Sequence, residues 1–199
     1  MNKALIDEMV AARYINVQKH PTEDLFIYNY SKSVQYENMW NEATMMCRGL
    51  ILNEKDEIQA RPFGKFLNIE QHAPEEIPNE SFEVYTKLDG SLGVLYWVGN
   101  KPFIATRGSF SSDQAKRANE ILYKKYSNTF SRLKRGCTYL FEILFPENRI
   151  VVNYGGLEDL ILLAIVDNET GKDLPLEDVG FPIVERIDGI NDISKLRDK

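Results

Sequence analysis

The sequence predicts an α+β fold built mainly on antiparallel sheets with flanking helices. Three features predict it: many strand-length apolar runs, one long stretch of helical periodicity, and short connections between them. The chain has 199 residues, 43% hydrophobic and 27% charged, enough to bury a core as one domain over residues 1–199.

Residues 2–13 place Leu5, Ile6, Met9 and Val10 at helical spacing, which predicts an amphipathic opening helix. "LFIYNYS" (25–31) reads as a strand. "MMCRGLILNEKDEIQARPF" (45–63) reads as a hairpin turning at the polar "NEKDE", and "GKFLN" (64–68) follows as a short apolar and basic stretch. After the acidic loop "APEEIPNE" (73–80), "FEVYTKLDGSLGVLYWV" (82–98) reads as two strands joined at Asp89-Gly90, a strong hairpin signal. "KPFIATRGSF" (101–110) supplies another strand. Ser111, Ser112 and Asp113 offer an N-cap for the long helix, along which Ala115, Ala118, Leu122, Tyr126, Phe130 and Leu133 recur at three- and four-residue steps. "CTYLFEILF" (137–145) and "LEDLILLAIVD" (157–167) are strands, "NETG" (168–171) is a turn, and "PLEDV" (175–179) starts a short helical piece. "PIVERI" (182–187) is a last strand before the helix-like "INDISKLRDK" (190–199).

The net charge of −6 argues against a nonspecific polyanion binder. Charge is segregated, however. Between Ser111 and Arg135 seven basic residues face only Asp113 and Glu120, so that segment carries +5 and the remainder −11. Its exposed face reads either as solvated surface or as a phosphate-contacting one. Cys47 and Cys137 lack C-x-x-C spacing, which argues against a disulfide scaffold or zinc site and predicts a reducing, cytoplasmic setting. No apolar run approaches a membrane span, and "MNKALIDEMVAARY" lacks the apolar core of a signal peptide. His20 and His72 are far apart and each adjoins a loop-forming stretch, so a histidine triad or metal cluster is not expected.

Charged groups inside apolar runs carry the chemistry, because a buried charge is costly without a partner. Arg48 stands between "MMC" and "GLIL", Lys65 between "RPFG" and "FLN", Arg107 ends "FIATRG", and Glu142 interrupts "YLFEILF". Exposure on an edge strand, or an Arg48–Glu142 pair, accounts for them structurally. Taken with Lys87 they make a polyphosphate site. A lysine amine attacks poorly until nearby cations and burial favour its neutral form, and Arg48, Lys65 and Arg107 supply the cations. Glu142 suits a ribose hydroxyl or, indirectly, a magnesium ion; no residue is assigned with certainty as a metal ligand. Gly90 and Gly108 allow backbone to approach a ligand.

The blocks "CRG", "RPFGKFLN", "TKLDGS", "TRGS", "FEILFPENRIV" and "ILLAIVDNETG", in this order and spacing, resemble the N-terminal nucleotidyltransferase domain of the phage-type RNA ligase 1 family. The resemblance covers nearly the whole chain. It implies a covalent nucleotidyltransferase (ATP-grasp-like) adenylylation domain using ATP and Mg2+. Lys87 would be the catalytic nucleophile, forming lysyl-AMP, and AMP would pass to an RNA 5′-phosphate before a 3′-hydroxyl seals the strand, as in tRNA repair. Tyr28, Arg48, Lys65, Arg107 and Glu142 match positions that contact ATP, and Asp89, Gly90 and Ser91 complete the lysine motif as its loop. Tyr28 reads equally as an aromatic packed between strands.

The family's Glu-Gly motif and Lys-x-Lys strand would follow residue 199, so the domain is expected to be incomplete at its C-terminus. Its partners would be RNA with 5′-phosphate and 3′-hydroxyl ends, tRNA among them, and a second polypeptide supplying the missing motifs. The alternatives are a catalytically impaired AMP- or RNA-binding module, a fragment of a longer ligase, and a DNA ligase or mRNA-capping enzyme that shares the lysine strategy.

Overall fold

The computed structural model describes residues 1–77, 80–148 and 156–190. They form two compact units, the first from residues 1–65 with 89–183, the second from residues 66–88 with those after 183.

The first unit opens with α1 (Lys3–Ala11), capped by the Asn2 side chain accepting from the Leu5 amide, and it buries Ile6 and Met9. The strands β1 (Ile15–Lys19) and β2 (Leu25–Tyr30) follow, then the short helices α2 (Lys32–Glu37) and α3 (Glu42–Met46). Asn41 and Thr44 close a reciprocal capping box on α3, which satisfies amides that a helix start leaves bare. With β3 (Arg48–Asn53) and β4 (Ile58–Ala60) the first sheet is complete, an antiparallel meander in the order β1-β2-β3-β4.

In the second unit β5 (Val84–Tyr85) appears, and the chain returns to the first for β6 (Ser91–Val98), β7 (Lys101–Thr106) and α4 (Asp113–Lys125). Then come β8 (Cys137–Leu144), β9 (Asp159–Asp167) and β10 (Asp173–Leu174), giving a five-stranded antiparallel sheet in the order β10-β9-β8-β6-β7.

Period-two alternation turns these strands into layers. From β2, β3 and β4, Leu25, Ile27, Ile51 and Ala60 meet Val94, Tyr96, Ala105 and Leu140 of the second sheet, so the two sheets pack face to face. The outer face of the first sheet, with Leu50 and Leu52, is covered by Ile6 and Met9 of α1 and Ala43 of α3. On the far side, Leu95, Ile104, Phe141 and Ile143 pack under Ala118, Ile121 and Leu122 of α4. Each fully buried Leu, Ile or Phe contributes roughly 1.5–3 kcal/mol. Asn119 ties α4 to the edge strand β7, accepting from the Ile104 amide at 2.8 Å and donating to the Ile104 carbonyl at 2.9 Å.

In the second unit β5 pairs antiparallel with β11 (Arg186–Ile187). Thr86 N–H donates to the Glu185 carbonyl at 2.9 Å, and Arg186 donates to Glu83 at 2.8 Å.

The α+β class and the antiparallel sheets agree with the sequence prediction, but four local expectations do not hold. Residues 82–98 are no hairpin: β5 pairs with β11, whereas β6 pairs with β7 and β8. The hairpin turn lies instead at Gly99-Asn100, where Gly99 takes φ +55° and Val98 faces Lys101. "PLEDV" is not helical; the proline follows β10 directly, and Val179 buries in the α4-side core. The long helix stops at Lys125 and continues only as 3-10 turns over Ser127–Arg132. "PIVERI" reduces to β11 and a parallel bridge from Ile183 to Leu162. The predicted terminal helix falls on residues 191–199, outside the described residues.

Candidate active site

A bulge in β3 aims the first of the predicted cations. Along β2 and β3, Tyr28 faces Leu50 and Asn29 faces Arg48, so Gly49 is the extra residue between two pairs. Gly49 adopts φ +102°, open to glycine and strained for other residues. A strict alternation would send Arg48 to the side of Leu50 and Leu52. The bulge returns it to the side of Asn29, where it lines an open cleft of about 490 Å³.

The opposite wall comes from the second sheet. Gly90, Ser91 and Leu92 enter β6 there, and Arg107 and Gly108 leave β7. Glu142, on the same face of β8 as Leu140 by alternation, accepts the Gly90 amide proton at 2.7 Å. This fastens the residue after Asp89 to β8. No side chain fits at Gly90, since a Cβ there would lie 2.5 Å from the Ile143 carbonyl oxygen.

Aromatic rings organise the cations. Arg107 donates to the Tyr30 hydroxyl at 3.0 Å and lies 5.0 Å from its ring centroid. The Arg48 guanidinium is 5.4 Å from the Phe63 ring centroid. Burial lowers the Arg48 pKa from its ordinary value and Arg107 acts in the same direction, opposed by Tyr30 and Glu142. Trp40 meets Tyr30 edge-on at 5.1 Å, and the Lys65 amine stands 6.0 Å from the Trp40 centroid.

The structure therefore gathers Arg48, Arg107, Gly90 and Ser91 at one cleft, with Glu142 bonded to its rim and Lys65 behind it on the aromatic pair. Tyr28 sits elsewhere, 7% exposed within the α1- and α3-side core. Lys87 is exposed and belongs to the second unit. Residues that sequence reasoning missed are Asn29, Tyr30, Thr106 and Gln114. The available signal was the period-two pattern of β2, which puts a polar Asn29 on the face of Leu25 and Ile27. The Asn29 Oδ1 atom is buried and has no protein partner among the described residues.

The basic segment is largely neutralised locally. Arg117 pairs with Glu120 and Glu158, Lys125 with Asp159 at 3.6 Å, and Lys134 with Glu177 at 3.2 Å. Arg135 stacks on Trp97 at 4.6 Å and donates to Asn100 at 2.9 Å. Among the described residues no cluster of three or more His, Cys, Asp or Glu could hold a metal ion, and no helix is long and apolar enough to cross a membrane.

Against known proteins, the family model described as RNA ligase matches residues 46–184. The chain belongs to the phage-type RNA ligase 1 family. The matched span contains Arg48, Lys65, Lys87, Arg107 and Glu142.

A protein of Thermovibrio ammonificans named as an RNA ligase is 31% identical over 131 residues, covering 62% of this chain and 34% of its own length. A protein of Autographa californica nuclear polyhedrosis virus, named as a bifunctional polynucleotide kinase/RNA ligase, is 26% identical over 183 residues, covering 79% of this chain and 26% of its own. The chain thus spans about a quarter to a third of these relatives. Among solved structures, an archaeal ATP-dependent RNA ligase superposes over 94% of this chain and 53% of its own, with 17% identity and a TM-score of 0.61. The fold is that of the nucleotidyltransferase ligases.

Proposed function

We propose that this chain is the adenylylating portion of an ATP-dependent RNA ligase. The observation that carries this reading is the cleft in which Arg48 and Arg107 face the Gly90–Ser91 backbone, three residues after Lys87 in one motif. Two guanidinium groups suit phosphate oxygens, which they bind through charge-assisted hydrogen bonds. The glycines at 90 and 108 leave room for a ligand, and the Asn29 oxygen offers an acceptor to a sugar hydroxyl or an amino group. These features fit a nucleoside triphosphate.

In the proposed reaction the neutral Lys87 amine attacks the α-phosphorus of ATP, a nitrogen–phosphorus bond forms, and pyrophosphate leaves with the bond electrons. An oxygen of an RNA 5′-phosphate then attacks that phosphorus, and the lysine nitrogen leaves with the bond electrons and takes up a proton to regenerate the amine. A 3′-hydroxyl oxygen finally attacks the 5′-phosphate, releasing AMP and closing a phosphodiester. Arg48 and Arg107 hold and neutralise phosphate charge throughout, an electrostatic role. Glu142 holds the motif backbone at Gly90. Lys87 itself is exposed. The described residues supply no cluster that fits magnesium on protein ligands alone, and each step above uses the chain's own groups.

RNA ends, those of tRNA among them, are the proposed substrates, and a reducing cytoplasm the proposed setting, given two free cysteines. A second polypeptide supplying further motifs belongs to the same proposal. The exposure of Lys87 favours one other reading, a module that binds AMP or RNA without forming the adduct. Incubation with radiolabelled ATP and magnesium, followed by a denaturing gel, separates the two. Acid-labile label on wild type and none on Lys87→Ala supports the enzyme; label on neither supports the binding module.

A further inference from the structure

Two guanidinium groups on one cleft repel each other. Something must hold them side by side without cancelling their charge. A carboxylate would bind both, and would then compete with any phosphate entering the cleft.

We infer that Tyr30 is a positioning residue whose phenol oxygen, accepting a hydrogen bond from Arg107, aims that cation into the cleft beside Arg48 while leaving its charge available. The Arg107 bond is 3.0 Å. A neutral hydroxyl orients a cation without a formal counter-charge, and the ring adds a cation–π contact to Arg107.

Tyr30 is itself fixed, as a positioning group must be. It is 5% exposed, its amide donates to the Cys47 carbonyl at 2.7 Å, and Trp40 packs edge-on at 73°. Trp40 extends the support to a third cation, because Lys65 lies over its ring and the Lys65 amide donates to the Met45 carbonyl at 2.8 Å. Tyr30 and Trp40 thus form an aromatic floor under Arg107 and Lys65, which lie far apart in the sequence.

The inference rests on reading the cleft as a triphosphate site, and the test keeps the two apart. Inorganic tripolyphosphate, ATP and adenosine are titrated calorimetrically into wild type, Tyr30→Phe, Arg48→Ala, Arg107→Ala and the double variant Tyr30→Phe/Arg107→Ala. Phenylalanine keeps the ring and removes only the acceptor. Tripolyphosphate and ATP should bind Tyr30→Phe about 3- to 10-fold more weakly, in line with the net worth of a typical hydrogen bond, with adenosine unchanged. In the Arg107→Ala background the same change should have a clearly smaller effect, and the melting temperature should shift by no more than about 4 °C. If the arginine variants leave tripolyphosphate binding intact, the triphosphate reading itself fails. If they weaken it while Tyr30→Phe does not, only the positioning role fails. A Tyr30→Phe protein that melts more than about 10 °C lower also overturns the role, since the hydroxyl would then be holding the fold.

Discussion

Replacing Gly90 by alanine tests how the lysine motif is anchored. The new Cβ would lie 2.5 Å from the Ile143 carbonyl oxygen and 2.9 Å from the Leu144 Cδ2. Ile143 cannot easily yield, since it pairs with Ser91 of β6 on one side and Leu160 of β9 on the other. The loop must therefore move, at roughly the 1–3 kcal/mol of an overpacked core. Its movement also stretches the 2.7 Å bond from the Gly90 amide to Glu142, about 1.5–3 kcal/mol for a bond to a charged acceptor. Together these give a loss of about 2.5–6 kcal/mol, or a fall in melting temperature of about 5–24 °C for a chain of this size.

Thermal and urea unfolding measure the loss, with Gly136→Ala as the control, because nothing lies within 4 Å of a Cβ at Gly136. The control should stay within about 0.5 kcal/mol of wild type. A Gly90→Ala protein as stable as the control would refute the claim that Glu142 and β8 pin this loop.

Gly49→Ala forces a side chain onto a backbone at φ +102°, with its Cβ 3.3 Å from the Arg107 carbonyl; urea unfolding should show a loss of about 1–3 kcal/mol, and tripolyphosphate binding should weaken as Arg48 loses its aim. The His20 ring Nδ1 accepts from the Thr22 and Glu23 amides at 3.2 and 3.1 Å, and burial lowers its pKa below 6.5. The unfolded chain then binds the proton more readily, so this contribution is full above pH 6.5 and is lost as pH falls through it; the acid-side decline in urea midpoint should be shallower in His20→Gln. Burial pushes the Cys47 thiol up to about 12, leaving about one thiolate in ten thousand at pH 8. A disulfide reagent should accordingly label Cys137 in the native protein and Cys47 only on unfolding, as Cys47→Ser and Cys137→Ser would show.

Elements with a strong local period were legible in the sequence. Residues 2–13, the Ser112 cap of α4 and the apolar runs of β8 and β9 each carry a signal within a dozen residues. What escaped depends on long-range pairing. Asp89-Gly90 has hairpin chemistry, yet β8 and β7 occupy both edges of β6, so tertiary pairing overrides the local preference. The cations were legible because charges inside apolar runs are conspicuous. Their organiser was not: Tyr30 looks like any strand aromatic until β2 and β7 bring Arg107 to its hydroxyl. Tyr28, the more conspicuous choice in "FIYNY", faces the helices because alternation gives the cleft side to Asn29.

The central claim is that Lys87 takes the adenylyl group of ATP. Its most direct test incubates the chain with ATP labelled either at the α- or at the γ-phosphate, then digests the protein and follows the peptide containing residue 87. The account predicts acid-labile label on that peptide from the α-labelled nucleotide and none from the γ-labelled one. Label from both positions, label on another peptide, or an equal signal in Lys87→Ala would contradict it.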